Sequence, residues 1–193
     1  MDTDLMATHV TSVRDYGARG DGKTLDTEAI QAAIDACSAG GGGTVLFPRG
    51  TFHTGTIVLK DNVTLYLAAD AVLLGSQRIE DYGVTHKLPS SVQMHTLIFA
   101  KDARNIALAG QGRVDGQGWA FPCGTEGFNA EDESKAPRGK AYPRPRGLDF
   151  HNCQGVRIEG LTLSNAASWM ARIEDCRDIH IEGVKVVNRQ NQN

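Results

Sequence analysis

Between Cys153 and Asn188, apolar and polar residues alternate in short runs that end at glycine or asparagine. CQGVRIEGLTLSN (Cys153–Asn165) and CRDIHIEGVKVVN (Cys176–Asn188) align without a gap, each residue 23 positions from its counterpart. Val156/Ile179, Ile158/Ile181, Leu161/Val184 and Leu163/Val186 keep one face apolar, while Gly160/Gly183 and Asn165/Asn188 fall at turns. A period of two interrupted by glycine predicts two short strands with a bend between them. DNVTLYLAADAVLLG and RNIALAGQGRVDGQG carry the same pattern in worn form. Ile106 and Val156 lie 50 residues apart; removing the irregular 28 residues of 119–146 leaves 22, so one repeat carries a long insertion. The 43 residues from Val63 to Ile106 fit either two repeats or one repeat plus the polar stretch 76–91.

One segment follows a different period. In DTEAIQAAIDACSAGGGG, Ala29, Ile30, Ala33, Ile34 and Cys37 follow the i, i+3, i+4, i+7 spacing of an amphipathic helix. Asp26 is placed as its N-cap, with the carboxylate accepting from free amides of the first turn. The glycine run from Gly40 stops it.

A repeat of 22–23 residues also suggests a leucine-rich repeat, but that requires an L-x-x-L-x-L-x-x-N pattern absent here. Strand, glycine bend, strand and asparagine turn fit a right-handed parallel β-helix, an all-β solenoid whose stacked coils bring like residues into ladders. Asn165 is then expected over Asn188, their amides bonded from rung to rung. Cys153 is expected over Cys176 as stacked thiols rather than a disulfide, whose geometry is specific. The lone helix becomes the N-terminal cap that the first coil needs. Residues 1–193 read as a single incomplete domain: a cap region over 10–50, coils over 51–193 with the insertion 119–146, and an open C-terminal coil through which chains are expected to self-associate.

Composition narrows the chemistry. The 193 residues are 40% hydrophobic with a net charge of −3, which gives no reason to expect nucleic acid or a membrane as partner. No apolar run reaches membrane length and no signal peptide is visible. The four cysteines lack C-x-x-C spacing and the six histidines are scattered, so no metal and no cofactor are expected. His151 in His151-Asn152-Cys153 reads as a loop-edge histidine. GARGDGKT (Gly17–Thr24) matches the phosphate-loop pattern G-x-x-x-x-G-K-[ST]. Asp26, two residues beyond Thr24, puts a carboxylate where a phosphate would sit, and the α/β layering of such a loop is missing. The stretch reads as a turn into the cap, so no nucleotide is expected.

The opening VRDYGARGDGKTLDTEAIQAAIDACSAGGGGTVLFPRGTF resembles the N-terminal cap of pectin-lyase-like β-helix proteins. GQGRVDGQG followed by Trp119 resembles the G-x-G-x-I-D-G-x-G-x-x-W of glycoside hydrolase family 28, the polygalacturonases and their relatives. RPRGLDFHNCQGVRIEGLTLSNAASW (Arg144–Trp169) resembles that family's Arg-Pro element and the coil ending in Asn-x-x-x-Trp. The resemblance implies a secreted or periplasmic hydrolase of galacturonide linkages in pectin, working by inverting acid/base catalysis in cell wall degradation. The family's succession of catalytic motifs, N-x-D, D-D, G-H-G and then R-x-K, does not occur here. The resemblance therefore implies an N-terminal fragment with no catalytic residue of its own, inactive alone, in which Asn193 stands as the Asn of N-x-D and touches substrate. The alternative is a non-catalytic β-helix, carbohydrate-binding or tailspike-like.

Inverting hydrolysis needs two carboxyl groups roughly 6.5–9.5 Å apart. Asp149, Glu159, Asp175, Asp178 and Glu182 fall in the last two coils, but beside Arg157, Arg172 and Lys185 they read as a solvated outer face. Asp115 reads as a turn former. Lys135, Arg138, Lys140, Arg144 and Arg146 follow the acidic Glu131, Asp132 and Glu133 in the insertion. Their charge suits a polyanionic sugar such as galacturonan, with Arg144 and Arg146 as the substrate-binding candidates. Trp119 and Trp169 could stack on sugar rings, although packing is the commoner role.

Overall fold

The computed structural model describes residues 9–87, 93–121 and 144–188. The chain enters through β1 (Val10–Ser12), a 3-10 turn (Val13–Tyr16), β2 (Asp21–Leu25) and helix α1 (Thr27–Ala39). The first full coil is β3 (Gly43–Phe47), β4 (Gly50–Thr54) and β5 (Ile57–Val58). The second is β6 (Val63–Leu67), β7 (Ala71–Gly75), the excursion strand β8 (Val84–Lys87) and β9 (Gln93–Lys101). The third is β10 (Arg104–Gly110), β11 (Arg113–Asp115) and β12 (Arg146–His151). The fourth is β13 (Gln154–Glu159), β14 (Thr162–Ser164) and β15 (Ala171–Glu174), and β16 (Arg177–Glu182) and β17 (Lys185–Val187) begin a fifth.

Each coil contributes one strand to each of three parallel sheets. Sheet A runs β1-β3-β6-β10-β13-β16, sheet B runs β2-β4-β7-β11-β14-β17, and sheet C runs β5-β9-β12-β15. Among the described residues only β8 pairs antiparallel, against β9. This is a right-handed parallel β-helix. The register matches the repeat: Val156 lies beside Ile179, Ile158 beside Ile181 and Leu163 beside Val186. Ile106 lies beside Val156, across the insertion. Thr64 pairs with Ala107, so the 43-residue interval is one coil with an excursion. Inward residues such as Phe47, Leu65, Leu73, Ile98 and Phe150 are fully buried. Helix α1 closes the N-terminal end, burying Ile30, Ala33, Ile34 and Cys37.

Three local details differ from the sequence expectations. Asp26 does not cap α1 with its side chain. Its buried carboxylate instead accepts from the amides of Arg19 (2.8 Å) and Gly20 (3.0 Å). Those amides belong to the GARGDGKT loop, so the chain's own carboxylate occupies donors that a phosphate would need. Asn165 reaches the coil below rather than Asn188: its Nδ2 donates to Asp115 at 3.0 and 3.2 Å. Left-handed backbone at Asn165 (φ +50°) turns the side chain that way, while the Asn188 amide has no hydrogen-bond partner among the described residues. A rung-to-rung ladder exists at another corner, where Asn152 donates to Asp102 at 2.7 Å and Asn105 to Asn62 at 3.0 Å. The third concerns Asp149, which has no exposed surface and is not part of a solvated face.

Cys153 and Cys176 are stacked free thiols, with the Cys153 amide 3.3 Å from the Cys176 sulfur. Burial pushes the Cys153 thiol up to about 11.

Candidate functional site

The outer face of sheet C is unlike the other two. All the long connections leave from one corner of the coil, between sheets B and C: residues 76–92, 116–145 and 165–170. Their described ends border one side of sheet C. The opposite corner, between C and A, is made of tight turns with left-handed residues at Asp102, Asn152 and Asp175. Sheet C thus has a high border and a low one.

Polar side chains fix the roots of the high border. Asp115 accepts from the Gln117 amide at 3.0 Å as well as from Asn165, so it is a turn former that also links two coils. Gln117 donates to the Gly75 carbonyl at 2.6 Å and accepts from Gln77 at 2.7 Å. Arg144 donates to the Ala167 carbonyl at 3.1 Å, tying the end of one excursion to the next.

Strand β12 carries the centre of the site. Leu148 and Phe150 point into the core, so Asp149 and His151 point out of sheet C. In register, Asp149 lies between Phe99 and Arg172, and His151 between Lys101 and Glu174. Asp149 has no exposed surface, and its Oδ2 meets Arg146 Nη1 at 2.6 Å. His151 presents Nε2 to Asp149 Oδ1 (2.7 Å) and Nδ1 to Glu174 Oε2 (3.0 Å). Arg172 closes the network on Glu174 at 2.5 Å, with its other terminal nitrogen 3.1 Å from His151 Nε2. Arg146 also stacks over the Trp169 ring, 4.8 Å from its centroid.

Two carboxylates are thus shared among two guanidiniums and an imidazole. Both acids are committed to cationic partners, which suits the face to holding an anion rather than transferring protons. Among the described residues no group of three His, Cys, Asp or Glu side chains is placed to hold a metal ion. No helix among them is long and apolar enough to cross a membrane.

Of the sequence candidates, Arg146 opens β12 rather than ending the insertion, and is buried. Arg144, two residues before it, donates to the Ala167 carbonyl, whereas Arg146 meets Asp149 and Trp169. Asn193, Lys135, Arg138 and Lys140 lie outside the described residues. Trp119 and Trp169 are both more than half exposed, at 56% and 52%. Trp169 also lines an apolar hollow with Ile158, Leu163 and Ile181 at the last coil. Glu159 and Glu182 stack as expected on the outer face of sheet A. The Asp149–His151–Arg172–Glu174 network was missed, although its signal was present: the 23-residue repeat that pairs Val156 with Ile179 also pairs Asp149 with Arg172 and His151 with Glu174.

A family model described as rhamnogalacturonase A/epimerase, pectate lyase-like, matches residues 10–135. The chain belongs to this pectate lyase-like family. An exo-poly-alpha-D-galacturonosidase of Dickeya chrysanthemi is 42% identical over 121 residues, covering 57% of this chain and 20% of that protein. The family 28 exopolygalacturonase of Yersinia enterocolitica superposes with a TM-score of 0.77 at 27% identity, over 93% of this chain and 39% of that one. The hyperthermoactive exopolygalacturonase of Thermotoga maritima does so with a TM-score of 0.77 at 26% identity, over 96% and 48%. The chain spans less than half the length of each of these relatives.

Proposed function

We propose that this chain is the substrate-holding, N-terminal part of a glycoside hydrolase that cleaves galacturonide linkages in pectin. The observation that carries the reading is the outer face of sheet C, where Arg146, His151 and Arg172 gather around Asp149 and Glu174 beneath a loop wall. Arg172 offers its half-buried guanidinium to a galacturonate carboxylate. Arg144 shapes the wall, Arg146 orients Asp149 and Trp169, and Asn193 takes a substrate contact. The carboxyl groups that protonate the leaving oxygen and activate water belong to residues outside this chain, because Asp149 and Glu174 are already engaged. The place of action is the secreted or periplasmic space, where pectin is met. Chains further associate through the apolar hollow at the last coil.

The test is calorimetric titration with trigalacturonate and with its neutral galactose counterpart, alongside a reducing-sugar assay. Tighter binding of the acidic sugar is expected, weakened about tenfold by Arg172→Ala, which removes a charge-assisted contact. No sugar release is expected from the chain alone. Equal binding of the neutral sugar overturns the anionic-substrate reading, and measurable hydrolysis overturns the placement of the catalytic groups.

A further inference from the structure

The corner between sheets A and B, across the coil from sheet C, carries a second hollow of about 460 Å³. Successive turns build it: Arg49 from one, Ala69 and Asp70 from the next, and Gln111, Gly112 and Arg113 from the third, with Thr162 beyond. Glycine lets these turns stack closely. A Cβ on Gly112 would lie 2.6 Å from the Leu67 Cβ and 2.7 Å from the Ala68 and Ala71 carbonyl oxygens. With no side chain at 112 and only a methyl group at 69, the floor stays low while neighbouring side chains form a rim.

That rim is polar and accessible. Arg49, Asp70, Gln111 and Arg113 are all exposed. Among the described residues, neither Arg49 nor Arg113 has a carboxylate within ion-pair distance, although Asp70 shares the same hollow. Neither guanidinium donates to a backbone carbonyl, in contrast to Arg14, which is spent on the Arg19 and Arg49 carbonyls. The volume falls within the range of small-ligand sites, roughly 300–1,000 Å³.

We infer that this hollow is a second carbohydrate site, taking one uronic acid unit of an acidic polysaccharide. Arg49 and Arg113 hold the carboxylate through charge-assisted hydrogen bonds. Asp70, Gln111 and Thr162 exchange hydrogen bonds with the ring hydroxyls. Asp70 selects the ligand class: with two cations and one anion, the rim matches a single carboxylate set among hydroxyls, and repels a dense polyanion such as a phosphate chain. A polymer held here and on sheet C at once gains from effective concentration, so the hollow anchors a long chain that sheet C engages elsewhere. The inference rests on the reading of an acidic polysaccharide as ligand.

The test maps digalacturonate binding by amide chemical-shift perturbation on the 15N-labelled chain, compared with Arg49→Ala/Arg113→Ala and with Arg172→Ala. Two clusters of shifted amides are expected, one around Asp70 and Gly112 and one around Asp149. The double variant should weaken the first about tenfold or more and spare the second, as loss of two charge-assisted contacts implies. Arg172→Ala should do the reverse, and unchanged melting temperatures would show that all variants fold. If only the sheet C cluster moves, or if neutral galactobiose moves the hollow equally, the second site is overturned and the proposed function stands. If only the hollow responds, this site stands and the sheet C reading falls. Silence at both overturns both.

Discussion

Asp149 is a carboxylate with no exposed surface on the outer face of a sheet, a position where aspartate is rarely found without partners. It is tolerated there because Arg146, itself 6% exposed, donates to its Oδ2 and His151 Nε2 stands 2.7 Å from its Oδ1. Removing one member of such a pair strands the other. Asp149→Ala should therefore cost about 3–5 kcal/mol in denaturant unfolding, because it leaves the Arg146 guanidinium buried and uncompensated. Glu174→Ala should cost under about 1 kcal/mol, since that side chain is 44% exposed and water replaces it. Asp149→Asn keeps a hydrogen-bonding group of the same shape and should fall between the two. Equal costs for Asp149→Ala and Glu174→Ala would show that the network is held by packing rather than by charge. The residue-level signal for this network lay in the spacing, not in the residue types. Taken singly, Asp149 reads as a surface residue and His151 as a loop-edge histidine; they read as parts of paired rungs only once the repeat is carried through β12 and β15.

The elements themselves were largely legible because each has a periodic cause. Helix α1 follows from its apolar spacing, and the strands of sheets A and B from alternation with glycine bends. Side-chain pairing at the corners was not legible, because it depends on which residue turns left-handed. Asn165 at φ +50° drops to Asp115, and Asp26 turns back to the loop amides instead of forward to the helix. The 43-residue interval was ambiguous for a similar reason: alternation marks strands but does not say how far a chain strays between them. Glycine at the A–B corner gives a direct check on how strictly the backbone sets coil geometry. A Cβ on Gly110, at φ +115°, would lie 2.1 Å from the Leu67 carbonyl oxygen. The equivalent atom on Gly183, at φ +62°, finds nothing nearer than 3.7 Å. Gly183→Ala should cost only the left-handed penalty, about 1–2 kcal/mol. Gly110→Ala adds a backbone collision between coils and should lower the thermal midpoint by a clearly larger amount. Equal shifts would mean that adjacent coils separate easily.

At the scale of the molecule, the two ends of the solenoid are physically unequal. At the first coil α1 covers the core, and Ile30 and Ile34 have no exposed surface. At the last described coil the inward residues Ile179, Ile181 and Val186 are 44%, 54% and 58% exposed. Ile181 and Val186, together with Trp169, border an apolar hollow of about 430 Å³. Among the described residues, strands β15, β16 and β17 each pair on one side only, leaving backbone donors and acceptors on the other side without a described partner. Burying each of the three aliphatic side chains contributes roughly 1.5–3 kcal/mol. An end-to-end dimer buries them twice over, against an association cost of roughly 4–15 kcal/mol. The two sums are close, so the balance depends on concentration. Sedimentation velocity should show a monomer at low concentration and a growing dimer as it rises toward the millimolar range, which corresponds to about −4 kcal/mol. Ile181→Lys/Val186→Lys places two charges on each apposed face and should restore the monomer without lowering the melting temperature. A wild-type chain that stays monomeric across that range, and binds no hydrophobic dye, would show that this end is not sticky despite its exposed apolar surface.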